Sequence, residues 1–325
     1  MTPWCHGTVT HGHAHSSRDA PLATSTVSQA PAGAGIHWEY LVPITVVHLL
    51  ACFAFLPWCF SWSGLALAAI GTNVFGTLGI NLCYHRLLAH RSLKVPRWLE
   101  RTLATIALCS LEDTPARWVG NHRLHHKHSD EIPDPHSPRN GIAWSHIGWL
   151  FRRSPDRKSF AFFDKYARDI LADDYYRYLE RHPTAPLVIY LAHALLFAVA
   201  GFFVGRWAGG DWSHGLQLAA SWLVWGVYLR TVLVWHITWS VNSLTHLFGY
   251  RTYATDEDSR NNWLVALLAM GEGWHNNHHH DPASASVQHK WWEFDVTYYV
   301  ILLLERVGLA TDVIQPRHLR KAARA

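Results

Sequence analysis

Residues 40–84 read YLVPITVVHLLACFAFLPWCFSWSGLALAAIGTNVFGTLGINLCY, 45 residues without one Asp, Glu, Lys or Arg. As a helix rising about 1.5 Å per residue, this stretch can cross a bilayer core of about 30 Å twice. Pro57 and the Ser61-Trp62-Ser63-Gly64 cluster mark the break, because proline lacks a helical N–H and small polar residues favour turns. Two spans are expected, at about 40–59 and 64–84. The pattern recurs at about 186–205 and 215–241, separated by Arg206 and the turn Gly209-Gly210-Asp211. Composition agrees: only 16% of the chain is charged and 18 residues are tryptophan, where soluble domains carry about 25% charge. The expected fold is all-α and integral to the membrane, with four transmembrane helices in two hairpins and a helical cytoplasmic cap.

Basic residues set the expected orientation. Residues 85–186 hold 17 Lys or Arg and residues 247–325 hold 8, whereas the two short turns, 60–63 and 206–213, contain only Arg206. By the positive-inside rule, both termini and the cap are cytoplasmic. The net charge of +4 then reflects topology, not nucleic-acid binding. Arg230 falls within the fourth span, where a charge must face protein or water. Cys5, Cys52, Cys59, Cys83 and Cys109 form no CxxC pair, which argues against a disulfide framework or structural zinc. Residues 1–38 read as a disordered cytoplasmic tail, 39–315 as the membrane domain and 316–325 as a basic C-terminal tail. Segments 98–110 and 288–305 (QHKWWEFDVTYYVILLLE) are expected to lie at the membrane interface as amphipathic helices.

Among 25 histidines, three patterns stand out: HRLLAH (His85, His90), HRLHH (His122, His125, His126) and HNNHH (His275, His278, His279). One HxxHH is a weak signal in so histidine-rich a chain; two are not. Positions i, i+3 and i+4 share a helix face, so three imidazoles can converge on one or two ions. His85 and His90 are five apart, about 140° around an ideal α-helix, and are expected to straddle the end of the second span. His246 occupies the matching place after the fourth span, with Asn242 one turn before it. Nine histidines exceed the four to six ligands of one ion, so two ions are expected. His280 turns away from its neighbours as the spare of its box. His6, His11, His13 and His15 belong to the tail; His48 and His193 read as packing residues, and His128, His136, His146 and His289 as surface or supporting groups.

HRLLAHR, NHRLHHKHSD, DPHSPRNG, SHIGWL, VNSLTHLFGYR and GEGWHNNHHH, in this order, resemble the membrane-bound fatty-acid desaturases of the stearoyl-CoA or Δ9 acyl-lipid type. The likeness extends over most of residues 40–310. It implies two iron ions held by His85, His90, His122, His125, His126, His246, His275, His278 and His279, with Asn242 acting through water. It also implies O2-dependent introduction of a cis double bond, at Δ9, into a long-chain saturated acyl group carried on CoA or on a membrane lipid. The substrate would lie in a bent tunnel with Trp118 and Thr238 at the bend and Thr77, Val74 or Leu78 toward its far end. The animal acyl-CoA enzymes carry an Arg-Asp pair where this chain has Gly120-Asn121, which leaves the carrier open. No His-Pro-Gly-Gly haem motif is present, so the electrons are expected from a separate ferredoxin or cytochrome b5-like protein. A histidine-box hydroxylase and a histidine-rich metal transporter are the alternatives.

Overall fold

The computed structural model describes residues 35–322. Nearly all of the expected N-terminal tail, with its four histidines, lies outside the described residues. Four helices are long and apolar enough to cross a membrane: span 1 (Trp38–Phe55), span 2 (Trp62–Ala89), span 3 (Ala185–Gly209) and span 4 (Trp212–His246). Among the described residues there is no β-strand.

The hairpin tips follow from their residues. Ser61 caps span 2 by accepting the Gly64 N–H at 2.9 Å, and its hydroxyl meets Ser221 of span 4 at 2.7 Å. Gln217 then donates to the carbonyls of Trp58 and Phe60, joining the two tips. Span 3 ends at Gly210, whose φ of +76° favours glycine. A Cβ on Gly205 would stand 2.7 Å from the His214 carbonyl, so spans 3 and 4 pack backbone to backbone, as small residues permit in membranes.

Spans 2 and 4 run past the ends expected from hydropathy, residues 84 and 241, to Ala89 and His246. The polar residues after the apolar run do not meet water: Arg86 is 1% exposed and donates to Glu272 and Asp295 of the cap at 2.7 and 2.9 Å. Loss of hydropathy therefore marks the start of the cap, not the end of the helix. Phe75–Ala89 is moreover π-helical, as is Val224–Leu229 of span 4.

Arg230 is fully buried. It donates to the Cys109 carbonyl at 3.0 Å and the Ser110 hydroxyl at 3.2 Å, approaches His193 at 3.3 Å, and lies 3.9 Å from the Phe75 ring centroid. It ties spans 2, 3 and 4 to the end of the helix Arg97–Leu108. That helix is amphipathic and packs its buried face on span 2, where a Cβ on Gly79 would come within 2.8 Å of Ala107, leaving Trp98 exposed. In the aromatic segment only Val296–Arg306 is helical, started by Asp295, which accepts the Tyr298 N–H. Residues 317–322 of the C-terminal tail form a short helix tied to Asp281 through Arg320.

Candidate metal centre

The second HxxHH lies on the helix Pro115–His128, started by Thr114 and by Pro115 in the first turn. The third forms the short buried helix His275–His280. Its two asparagines are fully buried anchors. Asn276 accepts the N–H groups of Thr252 and Tyr253 at 2.8 Å, and Asn277 donates to Glu293 at 2.8 Å. Asn261 accepts both of their backbone N–H groups. The loop thus positions the box without help from the histidines.

The nine histidines fall into two sets. His85, His90, His122, His126 and His278 bring nitrogens within 4.8 Å of one another, as do His125, His246, His275 and His279. Each HxxHH box is divided between them. In the second box the i and i+4 residues enter the set of five and i+3 the set of four; in the third box the assignment is reversed. Helical geometry accounts for the division: i and i+4 differ by only about 40° around the axis, whereas i+3 lies about 60° to the other side. His85 lies in the last turn of span 2 and His90 immediately after its end at Ala89, so the pair straddles the helix end, as expected. Their i→i+5 register, with the His90 N–H on the His85 carbonyl at 3.1 Å, brings the two rings edge to face with centroids 4.8 Å apart.

Carboxylates hold the outward nitrogens. The Nδ1 atoms of His85, His125 and His246 lie 2.9, 3.0 and 2.9 Å from Glu272, Asp134 and Asp130; that of His279 is 3.7 Å from Glu257. Burial opposes the charge on Glu272, but Arg86 and His85 hold its carboxyl down at about 2. Burial pushes His90, His122, His126, His275, His278 and His279 well below the usual imidazole range, aided by their neighbours. These rings are neutral.

The donor set fits metal ions. The carboxylates turn the Nε2 atoms of His85 and His246 inward, where they meet those of His278 and His275, each pair 3.1 Å apart. Each set thus gathers four or five imidazole nitrogens close enough to share one cation. The buried Nε2 of His125 has no hydrogen-bond partner at all. An outer layer of carboxylates orienting imidazoles is the usual support of a histidine metal site.

Two cavities, of about 600 and 640 Å³, meet beside these rings and share Trp118, His122, Thr238 and Asn242. The inner arm runs between spans 2 and 4 past Ile80, Gly76 and Thr72. The outer arm passes Ile44, Trp235 and Trp239 between spans 1 and 4 and joins a mouth bordered by Arg117, Arg152, Arg157 and Lys158. Trp118 and Thr238 stand where the two cavities meet. They are fixed by Glu112, which accepts from Thr238 at 2.8 Å and Trp118 at 3.3 Å. Burial pushes the Glu112 carboxyl up to about 8. Thr77 lines the inner arm, but Val74 and Leu78 do not: Val74 is exposed and Leu78 packs into the core.

The remaining histidines lie outside both sets. His280 stacks on Tyr253 at 3.8 Å, His146 meets Ser243, and His289 meets the Tyr253 hydroxyl. Glu112, Asp130, Asp134, Glu257 and Glu272 escaped the sequence reading, although Asp130 and Asp134 follow the second box closely enough to have drawn notice.

A profile of the fatty acid desaturase family matches residues 56–299. The chain belongs to the fatty acid desaturase family. It is 42% identical over 292 residues to an sn-1 stearoyl-lipid 9-desaturase of Anabaena variabilis, covering 90% of this chain and 97% of that one. It is 41% identical over 280 residues to an sn-2 palmitoyl-lipid 9-desaturase of a Nostoc strain (86% and 90% covered), and 40% identical over 282 residues to an acyl-CoA 5-desaturase of Anemone leveillei (87% and 81% covered). The desaturase is therefore a membrane oxidoreductase acting on a fatty acyl chain with O2, in a family that is generally iron-dependent. Its relatives differ in carrier and in double-bond position.

Proposed function

We propose that the desaturase introduces a cis double bond at Δ9 into a long-chain saturated acyl group esterified in a membrane lipid. His85, His90, His122, His126 and His278 hold one iron; His125, His246, His275 and His279 hold the second, with Asn242 reaching it through water. The observation that carries this reading is the meeting of the two cavity arms beside both histidine sets, at Trp118, His122, Thr238 and Asn242. A chain threaded through that bend presents one pair of methylenes to the ions.

Iron, when bound, supplies the O2-derived oxidising power that no side-chain base has toward an unactivated C–H bond. The residues of the chain do the rest. Glu112 fixes Trp118 and Thr238, so the bend sets which carbons stop beside the histidines. Glu272, Asp134 and Asp130 keep the Nδ1 protons of His85, His125 and His246 in place and their Nε2 atoms free for metal. The apolar arms exclude water.

A lipid carrier is supported by the outer arm, whose walls of Ile44, Trp235 and Trp239 belong to spans 1 and 4. It is also supported at Gly120, where a Cβ would stand 2.7 Å from the Phe162 ring, leaving no room for the arginine of the animal enzymes. The names of the Anabaena and Nostoc relatives favour the lipid and the Δ9 position. The basic residues of the cap favour cytoplasmic termini and a cytoplasmic site, and an electron donor separate from this chain. Reconstitution with ferredoxin, its reductase, NADPH and O2, supplied in parallel with saturated acyl-lipid and acyl-CoA, tests the reading. Δ9-unsaturated lipid is the expected product; hydroxylated chains, or unsaturation confined to acyl-CoA, would overturn it.

A further inference from the structure

Desaturation balances as –CH2–CH2– + O2 + 2 e⁻ + 2 H⁺ → –CH=CH– + 2 H2O, so two electrons must enter from outside the substrate. Beside the histidine sets, adjoining the mouth of the outer arm and sharing Trp149, Arg152 and Arg157 with it, lies a groove of about 1440 Å³. Exposed Arg153 and Lys165 border it together with Arg152 and Arg157; Glu131 and Asp156 are the exposed acids on its rim. Its floor contains Trp149, with Arg157 over the indole at 5.8 Å. Beneath Trp149 the aromatic contact continues inward. The Trp149 and His136 ring centroids are 5.4 Å apart, and those of His136 and His125 are 4.4 Å apart. His136 is 3% exposed, and neither its Nδ1 nor the Trp149 Nε1 has a hydrogen-bond partner. Two rings in contact, the inner one 3.8 Å from Asp134 through its Nδ1, thus link a basic surface to one histidine of the set of four. A second link runs through Asp134, which borders the groove and holds His125 Nδ1 at 3.0 Å.

We propose that this groove docks an acidic one-electron carrier protein and that Trp149 and His136 conduct its electrons to His125. Tunnelling falls exponentially with distance, so rings in contact shorten the gap between a donor at the surface and an ion at His125. Positive charge around the groove raises the encounter rate of an acidic partner and makes that rate salt-dependent. The proposal rests on the di-iron reading and adds to it the place and route of electron entry.

The test uses the iron-loaded full chain in lipid nanodiscs, with a reduced [2Fe–2S] ferredoxin as probe and a soluble cytochrome b5 domain in a parallel arm. Arg153→Glu with Lys165→Glu should weaken binding of the preferred probe about tenfold at low salt and flatten its salt dependence, with iron content unchanged. Trp149→Leu should leave affinity and iron content intact and slow oxidation of the bound probe at least tenfold, followed by its absorbance without substrate; Trp149→Phe should restore the rate. Unchanged affinity of both probes in the charge-reversed protein would place docking elsewhere. An unchanged oxidation rate in Trp149→Leu would overturn the route. Absence of iron from the wild-type chain would instead remove the di-iron reading itself, and the proposed route with it.

Discussion

His85 and His278, 193 positions apart in the chain, present their Nε2 atoms to each other at 3.1 Å. His85 has already committed its Nδ1 to Glu272 at 2.9 Å, so its Nε2 faces inward toward the other rings. His278 is buried and neutral, its pKa driven down by burial and by His85. The contact brings the first and third boxes into one set of candidate metal ligands.

The carboxylates behind the rings should therefore matter nearly as much as the rings. Asp134→Asn keeps the size of the group that holds His125 at 3.0 Å but removes its charge. Supporting partners of this kind are worth about 10- to 100-fold in metal affinity. Titration of the apo-protein with ferrous iron should show one of two sites weakened by about that factor, while the other is unaffected.

Glu112 should give the enzyme an alkaline limit. Burial keeps its carboxyl neutral up to about pH 8; above that, a charge appears at the bend where the acyl chain passes. kcat/KM should fall above about pH 8 in the wild type and stay level in Glu112→Gln, whose amide can still partner Trp118 and Thr238. The stability sign follows. The folded carboxyl keeps a proton that the unfolded chain releases at its ordinary lower pKa, so stability falls as pH rises between the two, by up to about 1.4 kcal/mol per unit. Thermal unfolding of wild type against Glu112→Gln from pH 5 to 9 measures it.

Chain length should be set along span 2. Gly76 borders the inner arm and a Cβ there meets nothing within 4 Å, so Gly76→Leu projects into the cavity without strain. Thr77, 6% exposed and on the same wall, offers the same blockage to a bulky replacement. Both variants should shift products toward shorter acyl chains by gas chromatography, whereas Val74→Phe should not, since Val74 lies outside the cavity.

Gly120 offers a test of packing whose sign is opposed to helix propensity. Alanine normally stabilises a helix interior by about 1 kcal/mol over glycine. Here its Cβ would press on the Phe162 ring at 2.7 Å, and overpacking of this kind costs about 1 to 3 kcal/mol. Gly120→Ala should lower the unfolding midpoint, and adding Phe162→Leu should recover it.

Much of this architecture is legible in the sequence, and the exceptions are physical. The 45 uncharged residues of 40–84 and the break at Pro57 give the first hairpin directly, and two HxxHH boxes point to the candidate metal centre. The helix ends do not follow, because Arg86 and His85 are buried in the cap by Glu272 and Asp295, groups distant in sequence. The relation of His85 to His90 depends on a π-helical register that no local spacing rule supplies. The division of each box between two sets depends on how the helices Pro115–His128 and His275–His280 face each other. Arg230, unassigned in sequence, finds its partners at Cys109, Ser110 and His193, which only the packed bundle brings together.

The central claim is that two ions are shared out among nine histidines, five to one and four to the other. Iron content of the purified chain tests it most directly, measured by elemental mass spectrometry for the wild type and for single alanine variants. Two irons per chain are predicted for the wild type and for His280→Ala, whose ring stacks on Tyr253 outside both sets. His278→Ala and His279→Ala should each retain clearly less. One iron in the wild type, or equal losses at His279 and His280, would contradict the account.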